Sequence, residues 1–206
     1  MCGRYNFTVE QSDEIREILE KLNAKFHQSA AKTGEIFPTD QAPILMEEDK
    51  EISPALSGWG FPKFDGKGVI INARVESAFE KKTFRDSLIS RRCIIPSTGF
   101  YEWDSEKNKF LFRMEDTNAL YMAGLYNVYQ GEFRYVILTT DANTSMKEIH
   151  NRMPLVLPKK ELKTWILDQS ATADLLRSVP PQLVRQAVNP RKTEEEHFGQ
   201  QFKMDL

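Results

Sequence analysis

What most constrains this chain is a succession of short β-branched and aromatic runs, parted by turn residues and rarely interrupted by a helical pattern. Ile52–Trp59, Val69–Ala73, Cys93–Pro96, Gly99–Trp103, Lys109–Met114, Leu120–Tyr126, Arg134–Thr140, Pro154–Leu157 and Leu183–Val188 all read as strand. Asn108, Asp116-Thr117-Asn118 and Gln130-Gly131 read as hairpin corners. The regular strand–helix alternation of a doubly wound parallel sheet is missing. The expectation is an α+β fold with a large, mostly antiparallel, barrel-like sheet core and flanking helices.

The helices announce themselves by caps and apolar spacing. Thr8-Val9-Glu10-Gln11 matches a capping box, and Ile15, Ile18, Leu19, Leu22 and Phe26 then form one stripe. Ser77-Ala78-Phe79-Glu80 matches a second box. It opens a helix to about Ile89, with Phe79, Phe84 and Leu88 inward and Lys81, Lys82 and Arg85 outward. A third helix runs from about Lys159 to Leu167, burying Leu162, Trp165 and Ile166, and Thr172 caps a short fourth. No repeat or linker divides the 206 residues, so one domain, 1–206, is expected.

Charge and cysteine usage narrow the partners. With 28 basic and 30 acidic residues the net charge is −2, which excludes a wholesale basic coat but not a local basic patch. No apolar run approaches the ~20 residues of a membrane helix. Arg4, Glu10, Asp13 and Glu14 stand where a signal peptide needs an apolar stretch. Two cysteines, Cys2 and Cys93, make neither a disulfide framework nor a zinc site. A reducing cytoplasm, no metal, no cofactor, no membrane and a monomer are the expectations.

Cys2 is the chemical focus. Once the initiator Met is removed it carries an α-amine and a thiol on adjacent carbons. The amine condenses with an aldehyde, and the thiol closes on the imine to give a thiazolidine; that second attack is intramolecular and correspondingly fast. The plain alternative is a frayed chain end. Gly3-Arg4-Tyr5 adds close backbone approach and a fixed cation. In Ile71-Asn72-Ala73-Arg74 a strand points Asn72 and Arg74 to one face. Glu102 lies amid Phe100, Tyr101 and Trp103, where lost hydration favours its neutral form and suits it to acid–base work; the alternative is an exposed carboxylate with the aromatics inward. His150 precedes a Pro-started strand, with Arg152 two positions on, whereas His27, His197 and Cys93 read as structural.

Taken in order, several segments resemble the SOS response-associated peptidase (SRAP) family. They are Met1-Cys2-Gly3-Arg4-Tyr5, Pro38-Thr39 with Ala42-Pro43, Trp59-Gly60, Asn72-Ala73-Arg74 and Arg92-Cys93-Ile94-Ile95-Pro96. Gly99-Phe100-Tyr101-Glu102-Trp103, Gly124-Leu125, Thr139-Thr140 and His150-Asn151-Arg152-Met153-Pro154 complete the series. One departure is Phe61-Pro62-Lys63-Phe64-Asp65, where the family has a second Trp: Phe64 replaces that stacking residue or the contact is lost.

The resemblance implies a sensor and shield of abasic sites in single-stranded DNA, acting in the cytoplasm and at the nucleoid. Its N-terminal cysteine forms a thiazolidine crosslink with the lesion's aldehyde, with associated AP-lyase and autopeptidase activity. Carried onto this chain, Cys2 is the nucleophile and Asn72, Glu102 and His150 complete the catalytic set. Arg4, Arg74 and Arg152 are implied phosphate contacts, with Thr140 a smaller one. Pro38, Trp59 and Trp103 are the implied apolar surface for bases. The Lys81, Lys82, Arg85, Arg91 and Arg92 group would widen the basic surface or simply be solvated. This reading requires the Cys2 sulfur to be reachable and close to Glu102 and His150. Two others stay open, an N-terminal-nucleophile cysteine peptidase and a non-covalent single-strand-binding module.

Overall fold

The computed structural model describes residues 2–26 and 31–188; His27 and His197 lie outside the described residues. In chain order the strands begin with Arg4–Phe7 (β1), Gly34–Ile36 (β2), Gln41–Glu48 (β3), Glu51–Trp59 (β4), Phe61–Pro62 (β5), Val69–Ile70 (β6), Asn72–Arg74 (β7) and Arg92–Ser97 (β8). They continue with Gly99–Trp103 (β9), Lys109–Arg113 (β10), Leu120–Tyr129 (β11), Glu132–Asp141 (β12), Arg152–Pro154 (β13), Val156–Leu157 (β14) and Val184–Val188 (β15). The helices are Asp13–Phe26 (α1), Lys82–Ser90 (α2), Leu162–Leu167 (α3) and Thr172–Arg177 (α4).

Two tight turns set the registers of the larger sheet. Asp49 and Lys50, with φ of 52° and 66°, place Glu48 opposite Glu51 and join β3 to β4. Gln130 and Gly131, with φ of 53° and 84°, place Tyr129 opposite Glu132 and join β11 to β12. Left-handed backbone at both central positions is what a two-residue hairpin requires. The corner expected at Gln130-Gly131 is therefore found. Asn108 also lies in a corner, where Asp104 Oδ1 accepts the N–H groups of Glu106 and Asn108. Asp116-Thr117-Asn118 is no hairpin corner: it carries the chain from β10 to β11, which belong to different sheets.

The larger sheet closes on itself. β12 pairs with β4, β4 with β3, β3 with β8, β8 with β11, and β11 again with β12. A ring of five strands results, and closure removes the open edges of a flat sheet. The β4–β12 contact is parallel, with Tyr135 opposite Trp59, and the other ring contacts are antiparallel. A second sheet, in the order β15-β10-β9-β1-β2, is antiparallel throughout. Tyr5, Phe7, Ile36, Phe100 and Phe112 on its inner face are fully buried in the core shared with the barrel. The α+β, mostly antiparallel, barrel-like expectation is thus met.

β12 outruns the ring. Its pairing with β11 ends at Ile137, opposite Gly124. Beyond it, Ile137, Leu138 and Thr139 face Asn72, Ala73 and Arg74 of β7 in parallel. Thr139, Thr140 and Asp141 face Pro154, Met153 and Arg152 of β13 antiparallel. Thr139 has both neighbours, so β7 and β13 lie on opposite edges of one strand.

The helix starts differ from expectation. α1 begins at Asp13 with Ser12 Oγ accepting the Ile15 N–H at 3.4 Å, while Thr8 precedes a 3-10 turn, Val9–Gln11, and makes no side-chain cap. Thr8 and Ser12 are both cap-competent, and the cap falls to the one directly ahead of the Ile15, Ile18 and Leu22 stripe, which must meet the sheet. Phe26 ends 45% exposed rather than buried. In the second helix the Ser77 box is likewise displaced: α2 starts at Lys82, Phe84 and Leu88 are buried, and Phe79 stays exposed. Arg92 is not part of a basic surface. Its buried guanidinium donates to the Leu88 and Ile89 carbonyls at the end of α2 and to Trp165 and Ile166 in α3. Four helix-end acceptors are satisfied by one cation.

Gly124 marks the tightest approach inside the ring. A Cβ there would sit 2.3 Å from Ile95 Cδ1 and 2.7 Å from the Val136 carbonyl oxygen, and the latter is backbone. Gly124→Ala is expected to destabilise the fold by about 1–3 kcal/mol. Thermal denaturation checks this, and an unchanged midpoint would refute the close-approach account.

Candidate active site and nucleic-acid interface

The chain start is threaded into the structure because β1 is paired on both edges. Tyr5 faces Ile36 on one side and Phe100 on the other. This drives Cys2, just ahead of β1, below the surface, where it is fully buried. Asn72 Nδ2 donates to the Cys2 carbonyl at 2.9 Å, across 70 residues of sequence. Asn72 Oδ1 is buried with no hydrogen-bond partner among the described residues. Cys2 Sγ points to the Arg4 carbonyl at 3.5 Å.

Glu102 reaches the same place from β9. That strand alternates strictly: Phe100 and Glu102 point inward and are buried, whereas Tyr101 and Trp103 are half-buried on the other face. The exposed-carboxylate alternative is thus excluded. Burial pushes the Cys2 thiol well above its ordinary pKa, and the negative charge of Glu102 pushes it further the same way. A reachable, activated thiolate is therefore not what the fold presents. Cys2 is a covered, protonated thiol beside a carboxyl.

His150 arrives on the β13 side of β12. It is half-buried, and its Nδ1 lies 2.9 Å from the Arg152 backbone nitrogen and 3.1 Å from the Arg152 carbonyl oxygen, which fixes the ring in the turn. Arg152 itself is already paired. Its guanidinium contacts both Glu76 oxygens at 2.5 and 2.9 Å, Asp141 at 2.7 Å and the Thr139 carbonyl at 2.6 Å. The side chain is only 10% exposed. Two carboxylates thus hold this cation, which ties the end of β12 to Glu76 and fixes the His150 loop, while its Nε has no partner among the described residues.

The remaining expected contacts divide by burial. Arg74 shares a face with Asn72, is exposed, and makes no ion pair among the described residues. Thr140 is half-buried on the overrunning end of β12. Pro38 lies in the Phe37–Asp40 turn, whose Thr39 holds a φ of 78°, a conformation that a β-branched residue adopts only under constraint. The turn is held by Asp40 Oδ2, which accepts the Phe37 N–H at 2.9 Å. Trp103 is half-buried, and the Arg4 guanidinium lies 5.3 Å from its ring. Trp59 corrects the sequence reading: it is fully buried, donates Nε1–H to the Ile71 carbonyl at 3.0 Å and stacks on Tyr135. It cannot meet a base. Phe64, by contrast, is wholly exposed in the loop between β5 and β6.

Sequence reasoning missed the groups that only pairing reveals. Glu76 is the partner of Arg152, and the buried Tyr5 and Tyr135 hydroxyls share a 2.7 Å hydrogen bond beneath Cys2. Glu35 and Lys109 join Arg4 from β2 and β10. Among the described residues no group of His, Cys, Asp and Glu is arranged to hold a metal ion.

The family described as SOS response associated peptidase (SRAP) matches residues 1–192. YobE, an abasic site processing protein of Bacillus subtilis (strain 168), is 38% identical over 200 residues, covering 87% of this chain and 88% of the relative. YoqW, an abasic site processing protein of the same organism, is 32% identical over 200 residues, with 87% and 86% covered. Among solved structures, a protein from Bordetella bronchiseptica aligns with a TM-score of 0.73 and 25% identity, covering 91% of this chain and 99% of that one. One from Bacteroides thetaiotaomicron aligns with a TM-score of 0.75 and 24% identity, covering 91% and 92%.

Two measurements check this electrostatic picture. Alkylation of Cys2 by iodoacetamide near neutral pH is expected to be at least about tenfold slower in the folded chain than in urea, because only the thiolate reacts. Peptide mass mapping separates Cys2 from Cys93, and equal rates would show the thiol uncovered. The second concerns Glu76, whose carboxyl is held below its ordinary value of 4.5 chiefly by hydrogen bonds from Arg152. A depressed folded-state pKa stabilises the fold above the ordinary value, and that part is lost as pH falls through the folded one. Arg152→Met is expected to flatten stability against pH below about pH 5; an unaltered acid limb would dismiss the pair as a contributor.

Proposed function

The chain belongs to the SOS response-associated peptidase family, and from that premise we propose that it processes abasic sites in single-stranded DNA by capturing them covalently through Cys2. The observation that carries this reading is the joint placement of Asn72 and Glu102 on Cys2, one on its carbonyl and the other beside its thiol. The abasic site processing activity in the names of the relatives supports it.

The proposed chemistry follows from the order in which the two groups of Cys2 can react. Removal of Met1 creates the α-amine, and Asn72 Oδ1, a buried acceptor with no partner among the described residues, takes one of its N–H bonds. The thiol is held protonated, so the amine attacks first. Glu102 first takes a proton from the terminal ammonium; the freed amine adds to the aldehyde carbon of the ring-opened sugar, and Glu102 returns that proton as the carbinolamine hydroxyl leaves as water, giving an iminium. The sulfur then bonds to that carbon while its proton passes to Glu102, closing the thiazolidine. The sum is aminothiol plus aldehyde giving thiazolidine plus one water. His150 serves as the acid that assists sugar ring opening. Strand cleavage by β-elimination is a side reaction of the same iminium, and ring closure suppresses it.

The burial of Cys2 bears on the alternatives. A cysteine peptidase needs a thiolate that reaches a peptide carbonyl. Here burial and Glu102 both oppose the thiolate. An aldehyde trapped first by an amine does not need one. This reading therefore requires the covered sulfur to become exposed to the sugar carbon.

The Met1-processed chain, incubated with an abasic single strand, is expected to give a heat-resistant shifted band on denaturing electrophoresis. Its mass should be one water less than the sum of the partners. Cys2→Ala abolishes the band, and Glu102→Gln slows its formation by about 10²-fold, the usual worth of a positioned acid–base group. A wild-type chain that gives no band sinks the proposal.

A further inference from the structure

On the outer face of the second sheet, Arg4 of β1 faces Tyr101 of β9, and Lys109 of β10 faces Trp103 of β9. One carboxylate oxygen, Glu35 Oε1 from β2, lies 2.7 Å from Lys109 Nζ and 3.4 Å from Arg4 Nη1. Both cations also lie against aromatic faces. Arg4 is 5.3 Å from the Trp103 ring and 4.6 Å from Phe37, and Lys109 is 5.7 Å from Trp103 and 3.9 Å from Tyr101. We propose that Lys109 joins Arg4, a phosphate contact the family resemblance already implies, in one phosphodiester site on the path of the DNA single strand, and that the Glu35 carboxylate stands in for a phosphate oxygen while no strand is bound.

The geometry favours an anion exchanged rather than an anion locked. A single oxygen bridging two cations does what one phosphate oxygen would do there. Two cations against one carboxylate leave the cluster with a net positive charge, and the side chains remain 40% (Arg4), 21% (Lys109) and 30% (Glu35) exposed. Arg152 shows the opposite arrangement, one cation between two carboxylates at 10% exposure. The aromatic faces hold the cations without neutralising them, and half-buried Trp103 and exposed Phe37 supply flat apolar surface beside the phosphate site for an adjoining base. Glu35 thereby acts as a positioning residue that keeps Arg4 and Lys109 together and competes with the incoming strand.

This inference rests on the single-strand reading above, so its test leaves out the covalent step. Fluorescence anisotropy measures binding of an unmodified oligothymidylate to the Cys2→Ala chain over a series of salt concentrations. Lys109→Ala in that background is expected to weaken binding about three- to tenfold and to reduce the slope of log affinity against log salt by about 0.7, the share of one phosphate contact on a single strand. Glu35→Gln keeps the hydrogen-bonding shape, removes the competing charge, and is expected to tighten binding about three- to tenfold. Opposite signs are decisive, since a purely structural pair would weaken binding in both variants. Weakening in both, or no change in either, overturns the phosphate site. A Cys2→Ala chain that binds no single strand at low salt overturns the single-strand reading with it.

Discussion

Closing five strands into a ring leaves β12 with more length than the ring can use, and the candidate site hangs on that surplus. The strand loses its β11 partner after Ile137 and keeps going to Asp141. Its unpaired backbone groups must find partners. β7 takes one edge and β13 the other, meeting at Thr139. Asn72 and Arg74 therefore come in on one side and the His150–Arg152 segment on the other. Neither short strand has a hydrophobic stripe long enough to hold itself in place. Their positions are set by the barrel through β12.

The second sheet supplies the other half. β1 and β9 are neighbours, so the chain start and Glu102 arrive together on the inner side, while Arg4, Tyr101 and Trp103 stay on the outer one. A single alternation thus separates two kinds of chemistry. Inside, low hydration keeps a thiol protonated beside a carboxyl. Outside, cations rest on aromatic faces within reach of solvent. The proposed covalent capture and the proposed strand site thus lie on opposite faces of the same two strands.

The arginines show how little residue type decides alone. Arg74, Arg92 and Arg152 carry the same guanidinium. Arg74 is exposed without an ion pair among the described residues, Arg92 caps two helix ends from the interior, and Arg152 is clamped by Glu76 and Asp141. A cation's availability to a phosphate depends on what the fold has already placed beside it. Charge counting along the chain does not reveal that.

Much of this protein was legible in its residues. Runs of β-branched and aromatic residues between turn residues marked β4, β8, β9, β10, β11 and β12, and the Gln130-Gly131 corner was readable because few residues tolerate left-handed backbone there. The Cys2, Asn72 and Glu102 grouping was legible too, though through a resemblance of ordered motifs rather than through spacing. β1 escaped because four alternating residues are too short a signal. β3 escaped because Pro43 and the acidic pair Glu47-Glu48 read as loop; Pro43 is tolerated since β3 meets β8 only at Leu45 and Met46. Burial was the part that sequence could not assign. Trp59 and Trp103 look alike as exposed or core aromatics, and only the strands around them put one behind Tyr5 and Tyr135 and the other beside Arg4. Local pattern settles which face of a strand a side chain takes. Which faces are covered is a long-range matter, settled when strands distant in sequence close into a barrel and a sheet.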